Sequence, residues 1–424
     1  MAISDDVVVI GGGLAGMTAA IAAARGGARV RLLSHKASTL RNASGLIDVL
    51  GTDPETGRPL ADPFDGIDEL PDGHPYRTLG EAAIREGLEL FDDLLGDRYL
   101  GEHTDRNALV PTHGGTVKPT ARYPVATAPG LASASERTLL VGFETITDFD
   151  APLAADHLEA AGVPFAVAGV TLSFPGEFRA DARVTRMASA LDEDRAVRVE
   201  GRTRGTRAAL ADRVADQLDG AERVGFPALL GDELGDEVRE ELADRLGAEV
   251  FEVPMGPPSL PGLRLEDALE AALHEEGVRV ESGNPVVGYE GGARVETVTV
   301  NRVHREVPYG AEQVILATGG LVGKGIRSSR GGVREPVFDC YVPHPEDRYD
   351  WFSEAVFDDQ PYARFGLRID GECRPLDGRG EPEFENLRAV GGVCGGYDSA
   401  KEKSASGVSL ATAATAGRRA AECL

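Results

Sequence analysis

Apolar runs that end in glycines mark both ends of the chain. Asp6-Val-Val-Val-Ile10 is short and β-branched, the pattern of a strand buried on both faces. Gly11-Gly12-Gly13-Leu14-Ala15-Gly16 follows directly, and an alanine-rich segment of high helix propensity runs from there to Arg25. Gly26-Gly27 stops that helix, and Ala28 to Leu33 returns as a second strand. Towards the other end, Val314-Ile-Leu-Ala-Thr-Gly-Gly320 reads as a buried strand closed by a small-residue turn. Asn386-Leu-Arg-Ala-Val-Gly-Gly392 repeats the pattern, Gly395-Gly396 and Gly407 come next, and Val408 to Glu422 is predicted as a helix of small residues.

Between these ends the periodicity alternates. Thr78–Leu95, Thr206–Leu218 and Asp232–Leu246 have helical spacing, while Thr138–Val141, Val163–Leu172 and Glu249–Val253 are strand-like. Val286 to Val307 reads as a small β-meander. The pattern predicts an α/β chain whose first and last parts, residues 1–100 and 262–424, form one domain around an inserted cap, residues 101–261.

The longest apolar stretch, Ala161 to Phe174, contains Pro164 and two glycines, so it reads as buried strand rather than membrane helix. No basic region followed by an apolar core and cleavage site opens the sequence. A cytoplasmic chain is expected, touching a membrane only through a partner. The four cysteines, Cys340, Cys373, Cys394 and Cys423, lack paired short spacing, so neither a cluster nor a metal site is expected. Net charge is −26, with 70 acidic residues, 44 basic ones and only five lysines. Acid everywhere with scarce lysine suits a high-salt cytoplasm, and it disfavours nucleic acid, which needs the opposite sign.

The chemistry concentrates in the glycines. G-x-G-x-x-G between a strand and a helix is the dinucleotide-binding pattern. Gly11 permits the tight turn, Gly13 lets a phosphate approach the backbone, and Gly16 lets helix and strand pack closely. The helix N-terminus at Leu14 and Ala15 adds N–H donors and a positive dipole end. The acid that usually ends the second strand and binds the adenosine ribose is replaced by Ser34. That substitution favours either FMN or loosely held FAD, and it weakens any claim for NAD. The turn at Thr318 and Gly319, the pair Gly391 and Gly392, and the helix start at Gly407 and Val408 supply a second half of the same site. The fold expected is therefore a two-dinucleotide-binding-type flavoprotein, a Rossmann-like FAD/FMN domain with an inserted cap domain.

Cations offer candidate anion contacts. Lys324, with Arg327, Arg330 and Arg334, forms an island of four in an acidic chain, and Lys401 and Lys403 lie between the C-terminal glycines. They read either as a site for a substrate or flavin phosphate, or as loop charges pairing with acids such as Glu335 and Asp339. Arg264 opens a helix, where it can bind an anion or pair with Glu266 or Asp267. His74 and His113 are candidates for proton transfer, although a structural role is the commoner fate of a single histidine. No Ser/His/Asp order or nucleophile elbow supports hydrolysis, and no catalytic base can be named.

Further segments carry a family resemblance: Ser44-Gly-Leu-Ile-Asp48, His74-Pro-Tyr76, Val141-Gly142 with Asp148-Phe149, Pro257-Pro-Ser259 with Gly262-Leu-Arg264, Gly332-Val-Arg-Glu-Pro336, and Gly391-Gly-Val-Cys-Gly-Gly396. With the first glycine turn, these make the chain resemble the B subunit of anaerobic, quinone-linked glycerol-3-phosphate dehydrogenase. The resemblance implies FMN in this polypeptide and adds Ser44 and Gly45 to the candidate flavin contacts. It also implies two partners. One is a catalytic flavoprotein, the A subunit, that oxidises sn-glycerol 3-phosphate to dihydroxyacetone phosphate. The other is an iron–sulfur protein, the C subunit, that would carry electrons to quinone and place the complex at the inner face of the membrane. A stand-alone succinate/fumarate-type flavoprotein and a flavin-fold scaffold without cofactor are the competing readings.

Overall fold

A computed structural model describes residues 3–176, 178, 183–199, 201–303 and 305–424. The chain divides into two compact units. Unit 1 comprises residues 1–39, 48–96 and 266–424, and unit 2 comprises residues 40–47 and 97–265.

Unit 1 is built on a seven-stranded sheet. In chain order its elements include β1 (Ile3–Ile10), helix α1 (Leu14–Arg25), β2 (Val30–Ser34), helix α2 (Glu81–Leu95), β3 (Arg279–Ser282), β4 (Val286–Gly291), β5 (Val295–Arg302) and β6 (Arg305–Leu316). A separate hairpin, β7 (Arg327–Ser329) with β8 (Gly332–Arg334), precedes the last sheet strand, β9 (Leu387–Ala389), and the last helix, α3 (Ala405–Glu422). The strand order is β3-β2-β1-β6-β5-β4, with β9 also on β6. The first half is parallel, as right-handed strand–helix–strand crossovers require, and β4, β5 and the start of β6 form the antiparallel meander. Val7, Val8 and Val9 are fully buried, which is why β1 carries no polar alternation.

Small residues let the helices approach closely. A Cβ on Gly417 of α3 would lie 2.5 Å from the Ala19 carbonyl oxygen of α1, and one on Gly87 of α2 would lie 2.7 Å from the backbone of Leu410. The helix predicted over Thr78–Leu95 is broken at Gly80, whose φ is +80°. A five-residue helix, Pro75–Leu79, precedes the break, with Pro75 at its first position and the His74 side chain capping it.

Unit 2 has a four-stranded parallel sheet in the order 249–253, 223–227, 138–143 and 167–172. Its core gathers Phe143, Phe174, Phe226 and Phe251 with Leu210, Leu229 and Leu242. The apolar stretch expected to be a buried strand is the edge strand Val167–Leu172, which has no second neighbouring strand among the described residues, and its residues are half-buried or exposed. Among the described residues, no helix is long and apolar enough to cross a membrane.

Candidate functional site

Three strands of unit 1 end at the same edge of the sheet. Ile10 of β1 lies opposite Leu316 of β6, which in turn lies opposite Ala389 of β9. The turns that follow are pinned to one another: Ala317 N–H donates to the Ile10 carbonyl at 2.8 Å, and Val390 N–H to the Leu316 carbonyl at 2.9 Å. Open parallel sheets bind ligands in the crevice beyond such carboxyl ends.

The glycines here fall into two kinds. Gly11 has φ +120°, and a Cβ on it would lie 2.2 Å from the Ala317 carbonyl oxygen. A Cβ on Gly16 would lie 1.8 Å from the Gly11 carbonyl oxygen. The fold itself demands both. Gly13 differs: its φ of −90° suits any residue, and a Cβ there would meet nothing nearer than Ser38 Oγ at 4.0 Å. It is also the N-cap of α1 and supplies no side-chain cap. Open space above an uncapped helix start is what a phosphate needs.

The second half closes on the first. A Cβ on Gly391 would lie 2.6 Å from the Cβ of Ala15, and one on Gly320 would lie 2.7 Å from the Gly392 carbonyl oxygen. Gly391 N–H donates to Thr412 Oγ1 of α3 at 2.9 Å. Thr318 Oγ1 is buried without a hydrogen-bond partner, an orphaned hydroxyl beside the turn. The structure thus brings together Gly11, Gly13, Leu14, Ala15, Gly16, Thr318, Gly319, Gly391 and Gly392. Ser34 ends β2 with its hydroxyl donating to the Lys36 carbonyl at 3.1 Å, and its oxygen retains the capacity to accept.

The start of α3 is held by a buried network absent from the sequence expectations. His74 is fully buried; its Nδ1 accepts the Tyr76 N–H at 3.0 Å, so the ring proton sits on Nε2 and points at Glu402 Oε2, 3.1 Å away. The Glu402 carboxylate also accepts the Ser404 hydroxyl at 2.9 Å and the Asp398 N–H at 3.0 Å. Ser404 is the N-cap of α3, yet its hydroxyl is turned to Glu402 and caps nothing. Both ring nitrogens of His74 are occupied, which corrects its candidacy for proton transfer. Burial pushes the phenols of Tyr76 and Tyr397 up, so the Tyr76 hydroxyl stays a donor, to the Val49 carbonyl at 2.8 Å.

Other candidates have local roles. A Cβ on Gly407 would lie 2.1 Å from the Tyr76 hydroxyl, and its N–H donates to the Asp48 carbonyl at 2.7 Å, so packing alone accounts for this glycine. Val408 is fully buried. Lys403 has φ +53°, and its Nζ donates to the Ala400 carbonyl at 2.5 Å. Lys401 pairs with Asp359. Ser44 and Gly45 belong to unit 2: Ser44 Oγ accepts the Leu46 N–H at 3.4 Å, and Gly45, at φ +78°, would drive a Cβ to 2.6 Å from Pro261. Arg264 also lies in unit 2, and its guanidinium grips the buried Glu252 at 2.6 Å and the Gly231 carbonyl. That internal pair replaces both the free anion contact and the expected pairing with Glu266 or Asp267. His113 Nδ1 contacts the Pro254 carbonyl at 3.3 Å. Lys324, Arg330 and Arg334 are exposed on and beside the β7–β8 hairpin.

The FAD binding domain family matches residues 6–408, which makes the chain a flavin-binding oxidoreductase by class. It is 58% identical over its full length to a Halobacterium salinarum protein named as the probable B subunit of anaerobic glycerol-3-phosphate dehydrogenase, covering 99% of that protein. It is 32% identical to the B subunit of anaerobic glycerol-3-phosphate dehydrogenase from Pectobacterium atrosepticum, with 96% of each chain covered. Among solved structures, an open-conformation flavocytochrome c3 fumarate reductase aligns at a TM-score of 0.44 and 11% identity, over 99% of this chain and 78% of that one. The chain belongs to the B-subunit family of anaerobic glycerol-3-phosphate dehydrogenases. The expected acidity of a salt-adapted protein fits the Halobacterium relative. The family match favours FAD over the expected FMN.

Proposed function

We propose that this chain is the FAD-carrying subunit of a quinone-linked glycerol-3-phosphate dehydrogenase complex. The observation that carries the reading is Gly13: the fold leaves its Cα side open at an uncapped helix start, while Gly11 and Gly16 on either side are demanded by packing against backbone carbonyls. In this reading the N–H groups of Leu14, Ala15 and Gly16 hold the pyrophosphate, and the turns at Thr318–Gly319 and Gly391–Gly392 flank it. Thr318 Oγ1 gains the partner it lacks. Ser34 accepts one hydrogen bond from the adenosine ribose where an acid would accept two, so FAD is held more loosely at that end. The N-terminus of α3, kept uncapped by Glu402, offers its positive end to the flavin.

A bound flavin supplies the two-electron chemistry: it takes a hydride and returns electrons singly or in pairs. The protein's part is to hold the cofactor, stabilise negative charge on it and exclude water. The relatives' names supply the substrate class, glycerol 3-phosphate, and their designation as one subunit implies companions. We assign a substrate-oxidising flavoprotein and an iron–sulfur protein as those companions, with membrane attachment through them. Mass spectrometry of the ligand released from natively purified protein tests the reading, and FAD is the expected result. FMN would restore the expectation drawn from the family resemblance, and an empty protein with no flavin uptake would defeat the proposal.

A further inference from the structure

Lys324, Arg327, Arg330 and Arg334 are all exposed, and none of the four side chains has a hydrogen bond or ion pair among the described residues. Single exposed arginines such as Arg202 and Arg305 are also unpaired among these residues, and others such as Arg29 and Arg137 sit on carboxylates. Four unpartnered cations within eleven residues are nonetheless a concentration in a chain of net charge −26. Arg327 and Arg334 are directly opposite each other in the hairpin register, where like charges repel. The neighbouring acid does not relieve them. Glu335 is fully buried, and its carboxylate turns inward to accept the N–H groups of Val337 and Phe338 at 2.8 and 2.7 Å.

The hairpin is joined to a second unusual surface. Val333 N–H donates to His344 Nε2 at 3.3 Å, and the His344 ring meets the edge of Trp351 at 5.7 Å between centroids. From Trp351 the loop carries Tyr349, Phe352, Val356 and Phe357, which are 67%, 50%, 80% and 102% exposed. Only 6% of the chain is aromatic, so three exposed aromatic side chains within nine residues is a concentration. Arginine beside aromatic anchors is the composition of interface hot spots. An anionic lipid surface also attracts cations and aromatics. Here, however, Glu346, Asp347, Asp350, Glu354 and Asp358 lie in the same loop and would repel anionic headgroups. A protein face tolerates such a mixture when its own charges are placed to match.

We propose that the β7–β8 hairpin with Lys324 and the aromatic loop 349–357 form one docking surface for a second polypeptide of the complex. That partner presents carboxylates to Arg327, Arg330 and Arg334 and an apolar recess to Phe357. An acidic, salt-adapted companion has the carboxylates to spare. The inference rests on the reading of this chain as one member of an assembly.

The test uses the native complex, purified through a tag on this chain in molar KCl and treated with a zero-length carbodiimide that joins lysine to carboxylate. With five lysines in the chain, the assignment is unambiguous. A cross-link from Lys324 to an Asp or Glu of a second polypeptide is expected. The variant Arg327→Glu/Arg330→Glu/Arg334→Glu and the variant Phe357→Ser are each expected to weaken assembly at least tenfold while flavin content and melting temperature stay unchanged. Cross-links from Lys324 confined to this chain, or full assembly by both variants, would overturn the surface. Flotation of the chain alone with phosphatidylglycerol vesicles, abolished by the same substitutions, would assign the surface to lipid and overturn it too. A chain that purifies alone with its flavin bound overturns the assembly itself, which is the separate failure of the underlying reading.

Discussion

Replacing Gly13 with valine separates what the fold needs from what the ligand needs. At φ −90° the valine backbone is unstrained, and the nearest atom to its Cβ is Ser38 Oγ at 4.0 Å. Valine is a poorer N-cap than glycine by up to about 1 kcal/mol. Its smaller unfolded-state entropy returns about 0.4–1 kcal/mol. The ligand-free protein should therefore melt within about 3 °C of wild type. The branched side chain instead fills the space where a phosphate oxygen would approach the α1 N–H groups. Each charge-assisted contact forfeited is worth about 1.5–3 kcal/mol. That is roughly a ten- to hundredfold loss of flavin affinity per contact. Gly16→Ala provides the contrast, since its Cβ would fall 1.8 Å from a carbonyl oxygen, so it should lose stability by about 3 kcal/mol together with flavin. Flavin fluorescence titration and thermal melts in molar KCl measure both quantities. A Gly13→Val protein that keeps wild-type flavin affinity, or one as unstable as Gly16→Ala, would refute the reasoning.

Three further outcomes follow from the geometry. His74→Ala leaves the buried Glu402 carboxylate without its ring N–H donor and should cost about 1.5–3 kcal/mol in urea unfolding; His74→Gln, which keeps a donor, should recover part of that, and equal losses in both variants would count against the pair. Arg264→Met should destabilise unit 2 by about 3–5 kcal/mol by stranding Glu252. Adding Glu252→Gln should recover part of that loss, and a changed substrate KM at intact stability would return Arg264 to the anion-binding role. Burial pushes the Cys373 thiol up to about 12 and raises Cys340 and Cys394 as well, while Cys423 is exposed. The thiolate is the reactive form, so iodoacetamide at neutral pH should label Cys423 alone in the native protein and all four cysteines after denaturation. Native labelling of Cys373 would contradict its burial.

The glycine turns were legible because their constraints are local: a positive φ or a forbidden Cβ at Gly11 and Gly16 leaves one residue type. The apolar run of β1 was legible for the same reason, since a strand covered on both faces carries no alternation. What escaped depends on distant partners. His74 and Glu402 are 328 positions apart, and nothing near either one announces the other. The capture of the Ser404 hydroxyl by Glu402 inverts the usual expectation that a serine at a helix start caps it. Arg264 found Glu252, twelve residues earlier, rather than the acids beside it, because the strand 249–253 delivers that carboxylate to the interior of unit 2. Val167–Leu172 looked like core because composition records apolarity but not whether a strand lies at a sheet edge.

The position of β6 between strands from opposite ends of the chain has a consequence for biosynthesis. β1 emerges from the ribosome early, but it cannot pair with β6 until residue 316 has been added. At 5–20 residues per second that is a delay of about 15–60 s. Throughout it Val7, Val8 and Val9, fully buried in the finished sheet, have no partner on that side. The strands of unit 2, between residues 138 and 253, are complete well before then. We infer that unit 2 closes first, and that flavin loading waits for β9 and α3. Nascent chains stalled at residue 330 should retain no flavin, whereas released full-length chains should; flavin on the stalled species would show that the first turn suffices.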